Sequence, residues 1–557
     1  MEHGLTQKNT DKKVKRPSRA ELLMPAGSLQ KLKAAILYGA DAVYLGTPDM
    51  SLRTQSAFTL EDVLEGIAYA HERGKRVYLT LNLFSHNKDI EKLPLFLETI
   101  RTLQPDGLII ADPGIFQYVR QQAPELELHI STQANVCSWL SVQFWQSQGA
   151  SLVVMAREVT FAEMEEIRGK CPDIKLEAFI HGSMCMTYSG RCLLSNYLTE
   201  RGANQGNCAH SCRWHYKVKL QLKDGTSKEI ELNDQNKELF NFLLEEDYRP
   251  GELMEIEEDA HGSYILNAKD LCLMPKLDAY LNLGIDSLKV EGRNKSAYYA
   301  AVVARAYRMA IDDWYADPES WSYEDYMDEL LSVPNRGFTL AFHDGRLQNL
   351  AHNYEDAHSL STYEFAGWVT AVNTEFVEVE IKNRILAGDV LEFVSPGYRD
   401  TVRIRLYEFA LADGTVRDAV HPGQSTRIRI PLAQFDREDP DSLLDRIPTE
   451  TVVRKDRLLR QDEWNRLKLD NEAQQLELGQ GNDAAYEKKR VKLAASMQAA
   501  PQPKRAPRQG AEGCCGKGCN GCLIFAHDPV FEEARSALEE KKMGERLSGV
   551  HRLARTR

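Results

Sequence analysis

Between residues 20 and 310 the apolar positions fall into short runs of strand length. They are Leu22-Leu23-Met24, Ala42-Val43-Tyr44-Leu45, Val77-Tyr78-Leu79, Leu108-Ile109-Ile110, Leu128-His129-Ile130, Leu152-Val153-Val154-Met155, Leu176-Glu177-Ala178-Phe179-Ile180 and Leu288-Lys289-Val290. Continuous apolar runs of this kind predict strands buried on both faces. Between them lie stretches such as Leu29 to Tyr38 and Asp62 to Arg73, with apolar residues at helical spacing. Several end in Tyr-Gly-Ala-Asp, Arg-Gly-Lys-Arg, Gln-Gly-Ala-Ser or Leu-Gly-Ile-Asp, a glycine helix stop just ahead of the next strand. Eight such units predict an α/β fold, a (β/α)8 TIM-like barrel over residues 20–335. A doubly wound sheet fits the same periodicity, because strand order is not written in it.

The pattern breaks once, in a long insertion from Ser183 to Tyr264 between strand seven and its helix. Loops at strand C-termini build the active site of a barrel, so the insertion belongs to the active end. From Tyr363 to about residue 435 the period changes to two, with turns at Ser-Pro-Gly, Ala-Asp-Gly and His-Pro-Gly-Gln, predicting a small all-β barrel domain. Arg403 and Arg405, then Arg427 and Arg429, alternate onto one face of two of its strands, either a solvated face or a stripe for RNA phosphates. Residues 453–510 read as a helix followed by a disordered linker, and 511–557 as a Cys-rich tail. Residues 1–19 form a basic, disordered N-terminus without the apolar core of a secretory signal, and no apolar run approaches the roughly 20 residues of a membrane span. A cytoplasmic protein is expected.

Composition changes this picture in two places. The formal net charge of −13 argues against a whole-surface nucleic-acid binder and leaves room for a local basic patch. The eleven cysteines cluster. Cys185, Cys192, Cys208 and Cys212 lie in the insertion; Cys514, Cys515, Cys519 and Cys522 lie in the tail. Clustered thiols in a reducing compartment read as metal ligands rather than disulfides. The first spacing is not the paired C-x2-C of a zinc ribbon, and four thiolates suit either zinc or an iron–sulfur cluster. The tail cluster, with His527 nearby, fits zinc or a second cluster.

The stretch from Glu177 to Ser195, EAFIHGSMCMTYSGRCLLS, resembles the signature of the peptidase family U32. The segments ELLMPAGSLQKLKAAILYGADAVYLG, HISTQANV, ILNAKDLC and DSLKVEGRNKSAYY agree, over roughly residues 20 to 435. Within that family the layout is similar to the prephenate-dependent tRNA uridine hydroxylases. The resemblance implies an iron–sulfur-bearing insertion with a 4Fe–4S cluster, prephenate as co-substrate, tRNA as partner through its anticodon loop, and 5-hydroxyuridine at the wobble position as product. It carries Cys185, Cys192 and Cys208 over as ligands, with Cys212 as the fourth and Cys272 in reserve. Relatives that hydroxylate rRNA or a ubiquinone precursor are the first alternative, a collagenase-like peptidase the second, and a non-catalytic metal-binding scaffold the third. Ser183 or Cys185 with His181 would be the peptidase nucleophile and base. No H-E-x-x-H helix and no G-x-S-x-G elbow is present.

Other polar residues sit where strands end: Arg53, Gln133, Arg157, Glu158, Lys289, Glu291 and Arg293. Each alone reads equally as a rim salt bridge. Together Arg53, Arg157, Lys289 and Arg293 suit a small dicarboxylic acid, since guanidinium forks match carboxylates. Glu177 and His181 flank the ligand loop and, with Glu158, are candidates for proton transfer.

Overall fold

The computed structural model describes residues 19–46, 58–82, 85–184, 269–345, 361–423, 425–435 and 445–456, and the pairing of five short strands between 220 and 264. Every apolar run forms a strand. They are β1 (Glu21–Pro25), β2 (Ala42–Gly46), β3 (Arg76–Leu81), β4 (Gly107–Ile110), β5 (Glu127–Ile130), β6 (Leu152–Val154) and β7 (Lys175–Gly182), then β9 (Ser287–Val290) after the insertion. Strand β8 (Asp270–Cys272) returns from the insertion antiparallel to β7 and lies beside β10 (Phe338–Thr339).

One main helix follows each barrel strand: α1 (Leu29–Leu37), α2 (Leu60–His71), α3 (Leu93–Leu103), α4 (Pro113–Gln122), α5 (Trp139–Ser147), α6 (Phe161–Lys170), α7 (Leu277–Leu283) and α8 (Ala297–Ala316). Their starts are chemically marked. Ser28, Thr59, Asp112, Ser138, Thr160 and Ser296 accept first-turn N–H groups, worth about 1 kcal/mol per cap. Thr59 with Asp62 and Thr160 with Glu163 close capping boxes. The glycine stops take the left-handed conformation that L side chains avoid, as Gly284 does at φ 74°.

Closure separates the two candidate architectures. β9 pairs in parallel with both β1 and β7, Ser287 standing opposite Glu21 on one side and Glu177 on the other. An open doubly wound sheet would leave those edges unpaired. The strands are almost wholly buried, so the barrel is a packed core.

The first of two compact units comprises Met1–Phe365, Glu392–Val402 and Ser442–Arg454. Tyr38, at the end of α1, donates to the Val394 carbonyl at 2.7 Å and accepts from the Val452 N–H at 2.8 Å. Val452–Asp456 is a strand, where the sequence pattern starts a helix and linker.

The second unit, Ala366–Leu391, Arg403–Asp441 and Lys455–Arg557, contains an antiparallel half-barrel. Tyr363–Val372 pairs with Phe376–Ile381, that strand with Arg427–Pro431, and that one with Phe409–Leu411. Of the four arginines singled out from the sequence, Arg403, Arg427 and Arg429 are ion-paired, and Arg405 donates to the Gly388 carbonyl at 3.3 Å. Arg427 and Arg429 both donate to the buried Glu378, at 3.3 and 3.2 Å, and Arg403 donates to Asp456 at 2.7 Å.

Candidate active site

The inward positions of the barrel carry charge. Lys289 on β9 donates to Glu177 on β7 at 2.6 Å, and both side chains are buried. Ser287 donates to the second Glu177 oxygen at 2.9 Å and lies 3.2 Å from Glu21. Glu21 also accepts from Tyr78 at 3.0 Å and pairs with Arg76; burial pushes its carboxyl up. Glu177 is therefore the counter-ion of Lys289 inside the barrel rather than a group on the rim.

Above this layer three cations surround two rings. The Arg157 guanidinium stacks 4.1 Å over Phe179, and the Lys289 ammonium lies 4.4 Å from the centre of Tyr44 and 5.7 Å from that of Phe179. Arg293 lies 5.6 Å from the centre of Tyr44. Arg157 pairs with Glu291 at 2.8 Å and donates to the Ser183 carbonyl at 3.2 Å, which ties β6 and β9 to the root of the insertion. Arg293 donates to Thr80 at 3.1 Å, and its own carbonyl accepts from Lys31. Gly182, where β7 ends, has φ 115°, and a Cβ there would lie 2.3 Å from the Glu291 carbonyl oxygen. Only glycine lets the chain leave β7 at that angle so close to β9.

The structure thus brings Arg157, Lys289, Glu291 and Arg293 to one end of the barrel, with Gln133 at the end of β5. Glu158 lies in the loop after β6; burial first, and then its charge, raises the Cys137 thiol. Arg53, Cys185, Cys192, Cys208, Cys212, Cys514, Cys515, Cys519, Cys522 and His527 lie outside the described residues. Thr80, Asn82, Ser131 and Tyr44 join the mouth without having been singled out from sequence. Their only signal is the polar alternation Thr80, Asn82 at the end of a strand run.

His181 and Cys272 are neighbours across the β7–β8 ladder and face away from the mouth, onto α8. The His181 ring packs among Tyr299, Tyr307 and Phe338, with Nδ1 3.4 Å from the Tyr307 hydroxyl. Burial pushes its pKa down to about 3, against a smaller opposing pull from Asp270, with Lys295 adding to the fall. This neutral, packed ring lends no support to a proton relay. Cys272 lies 3.8 Å from the same hydroxyl, and burial pushes its thiol up to about 11. Among the described residues no group of three or more His, Cys, Asp or Glu side chains is placed to hold a metal.

The imidazole stays neutral in the folded state down to about pH 3, whereas the unfolded chain takes up a proton near pH 6.5. The unfolded state binds more protons in that window, so stability falls as pH drops, by up to about 1.4 kcal/mol per unit from this residue. His181→Gln is expected to flatten that slope, measured as urea midpoints between about pH 4 and 7. Equal slopes in the two proteins would remove His181 as its source.

Residues 27–353 match peptidase family U32 and residues 361–439 match the peptidase family U32 C-terminal domain. The chain is 37% identical over 433 residues to tRNA hydroxylation protein P of Escherichia coli (strain K12), which covers 75% of this chain and 94% of that protein. It is 39% identical over 398 residues to tRNA hydroxylation protein P of Haemophilus influenzae, covering 68% and 86%. It is 31% identical over 294 residues to the 23S rRNA 5-hydroxycytidine C2501 synthase of Escherichia coli, covering 53% and 39%. With a closed barrel, a cysteine-bearing insertion after its seventh strand and a separate antiparallel domain, this chain belongs to peptidase family U32.

Proposed function

We propose that the chain is an RNA hydroxylase that converts a tRNA wobble uridine to 5-hydroxyuridine, with prephenate as co-substrate and a 4Fe–4S cluster as cofactor. The observation that carries this reading is the cationic arc of Arg157, Lys289 and Arg293 around Phe179 and Tyr44, at the root of the cysteine-bearing loop. Relatives named for tRNA hydroxylation, similar over about three quarters of the chain, support the substrate class.

Guanidinium forks and an ammonium held by apolar walls bind a small dicarboxylate more firmly than exposed charges would. Arg53 is the further cation proposed for this acid. Cys185, Cys192, Cys208 and Cys212 would hold the cluster. When bound, such a cluster supplies electron transfer or a Lewis-acidic iron. Arg157 holds the start of the loop in register with Glu291. An anticodon loop presents unstacked bases, so delivering one to the mouth costs little. The C-terminal domain and the basic N-terminal segment would hold the RNA backbone, the tail cysteines a zinc ion or second cluster, and the protein would work in the cytoplasm. No helix among the described residues is long and apolar enough to cross a membrane.

Two measurements test this. Protein purified without oxygen is expected to hold about four iron and four sulfide per chain, more if the tail also binds. Nucleoside mass spectrometry of tRNA from a deletion strain is expected to show loss of 5-hydroxyuridine derivatives. Intact 5-hydroxyuridine with lost 5-hydroxycytidine in rRNA would move the assignment to the second reading, which the rRNA-modifying relative favours. Gelatin cleavage by the purified protein would revive the peptidase reading.

A further inference from the structure

The mouth has two chemically different halves. The cations described above come from β9 and the loops after β6 and β9. The ends of β3 and β5 supply neutral groups instead: Thr80, Asn82, Ser131 and Gln133. Asn82 continues the inward alternation of Tyr78 and Thr80, and Ser131 that of His129, whose ring packs 4.6 Å from Tyr78. The Asn82 side chain and the Gln133 backbone meet at one hydroxyl. Asn82 Nδ2 donates to Ser131 Oγ at 3.4 Å, and the Gln133 backbone N–H donates to the same oxygen at 3.3 Å.

Asn82 is 6% exposed, yet its amide oxygen has no hydrogen-bond partner, and the buried amide oxygen of Gln133 has none either. Two buried acceptors left without donors at the open end of a barrel mark a place where a ligand completes the bonding. A carboxylate cannot do so, because it only accepts. The ligand must bring its own N–H or O–H, and the amide nitrogens can answer with donors.

We infer that Asn82 and Gln133 form the nucleobase subsite, reading the donor and acceptor edge of a pyrimidine while the cationic half takes the acid. This rests on the RNA reading and names which side of the mouth receives the base. A base turned out of its stack is recognised in this way, through hydrogen bonds to its Watson–Crick edge.

The test uses the full-length protein prepared without oxygen and two anticodon-loop hairpins, with uridine or an abasic residue at the target position. Wild type is expected to bind the uridine hairpin roughly tenfold more tightly, as one or two hydrogen bonds to the base would give. Asn82→Ala and Gln133→Ala should each reduce that preference several-fold, and the double variant should abolish it. Affinity for the abasic hairpin and for prephenate should not change. Asn82→Ala loses its buried 3.4 Å hydrogen bond to Ser131, so its melting temperature should fall modestly while the protein stays folded; Gln133→Ala, at a less buried position, gives an independent reading. Equal binding of the two hairpins by wild type overturns the proposal. So does an undiminished preference in both variants, or a loss that falls on prephenate instead. A wild type that distinguishes the hairpins yet hydroxylates neither supports the subsite and overturns the hydroxylase reading.

Discussion

Lys289→Met is expected to destabilise the folded chain by about 3–5 kcal/mol, because it leaves the Glu177 carboxylate inside the barrel without its cation. The two side chains are 5% and 0% exposed, so water cannot take over the missing charge. Ser287 still donates to Glu177 at 2.9 Å, but its hydroxyl brings no charge to neutralise the carboxylate as the ammonium at 2.6 Å does. The double variant Lys289→Met/Glu177→Leu removes both charges and should recover most of the loss, since an apolar pair of similar volume is often neutral. Urea denaturation checks both, with the midpoint falling at constant slope in the single variant. A single-variant loss below about 1 kcal/mol would show that the pair is not buried as described. The double variant also separates structure from function. If Lys289 contributes to acid binding, that protein is folded and still fails to bind prephenate.

Arg454→Met should cost a similar amount, about 3–5 kcal/mol, for a different reason. One guanidinium here serves two carboxylates. Arg454 donates to Glu392 at 2.8 Å, pairs with Glu329 of α9 (Glu324–Leu331) at 3.3 Å, donates to Ser332 at 2.9 Å and stacks 4.2 Å over Tyr363. Its side chain is buried, and the two carboxylates push its pKa up against burial, which pulls it down. Removing it strands Glu329 and Glu392 together. Arg454→Lys keeps the charge but loses the fork, so it should recover only part of the loss. Thermal melts give the ranking wild type, Lys, Met, and limited proteolysis should show faster cutting within residues 445–456 in the Met variant. Equal melting temperatures for Lys and wild type would mean that charge alone matters there.

Arg454 also shows where the sequence pattern stops being informative. It lies in Thr-Val-Val-Arg-Lys-Asp, at the start of a long polar stretch, and polar composition placed it at the head of a helix leading into a linker. Nothing local marks it as the hub of a buried cluster, because its carboxylate partners lie 62 and 125 positions earlier. Glu177 and His181 carry the same lesson. Both belong to one strand run in sequence, four residues apart. The register shift between Phe179 and His181 sends Glu177 into the barrel and His181 onto α8. A one-residue irregularity decides which face a side chain meets, and hydrophobic periodicity is too coarse to show it.

The amino-acid sequence by itself determined the eight strand–helix units, their caps and glycine stops, the change to period two after residue 360, and the position of the cysteine-bearing insertion after strand seven. These depend on residues within one or two turns of each other, so they are written locally. Only the tertiary structure decided that the sheet closes, that Glu177 neutralises Lys289 from 112 positions away, and that Asn82 shares a mouth with Arg293. Those outcomes follow from which strand ends meet when β9 completes the ring. The partner of a buried charge is set by that closure, not by its neighbours in the chain.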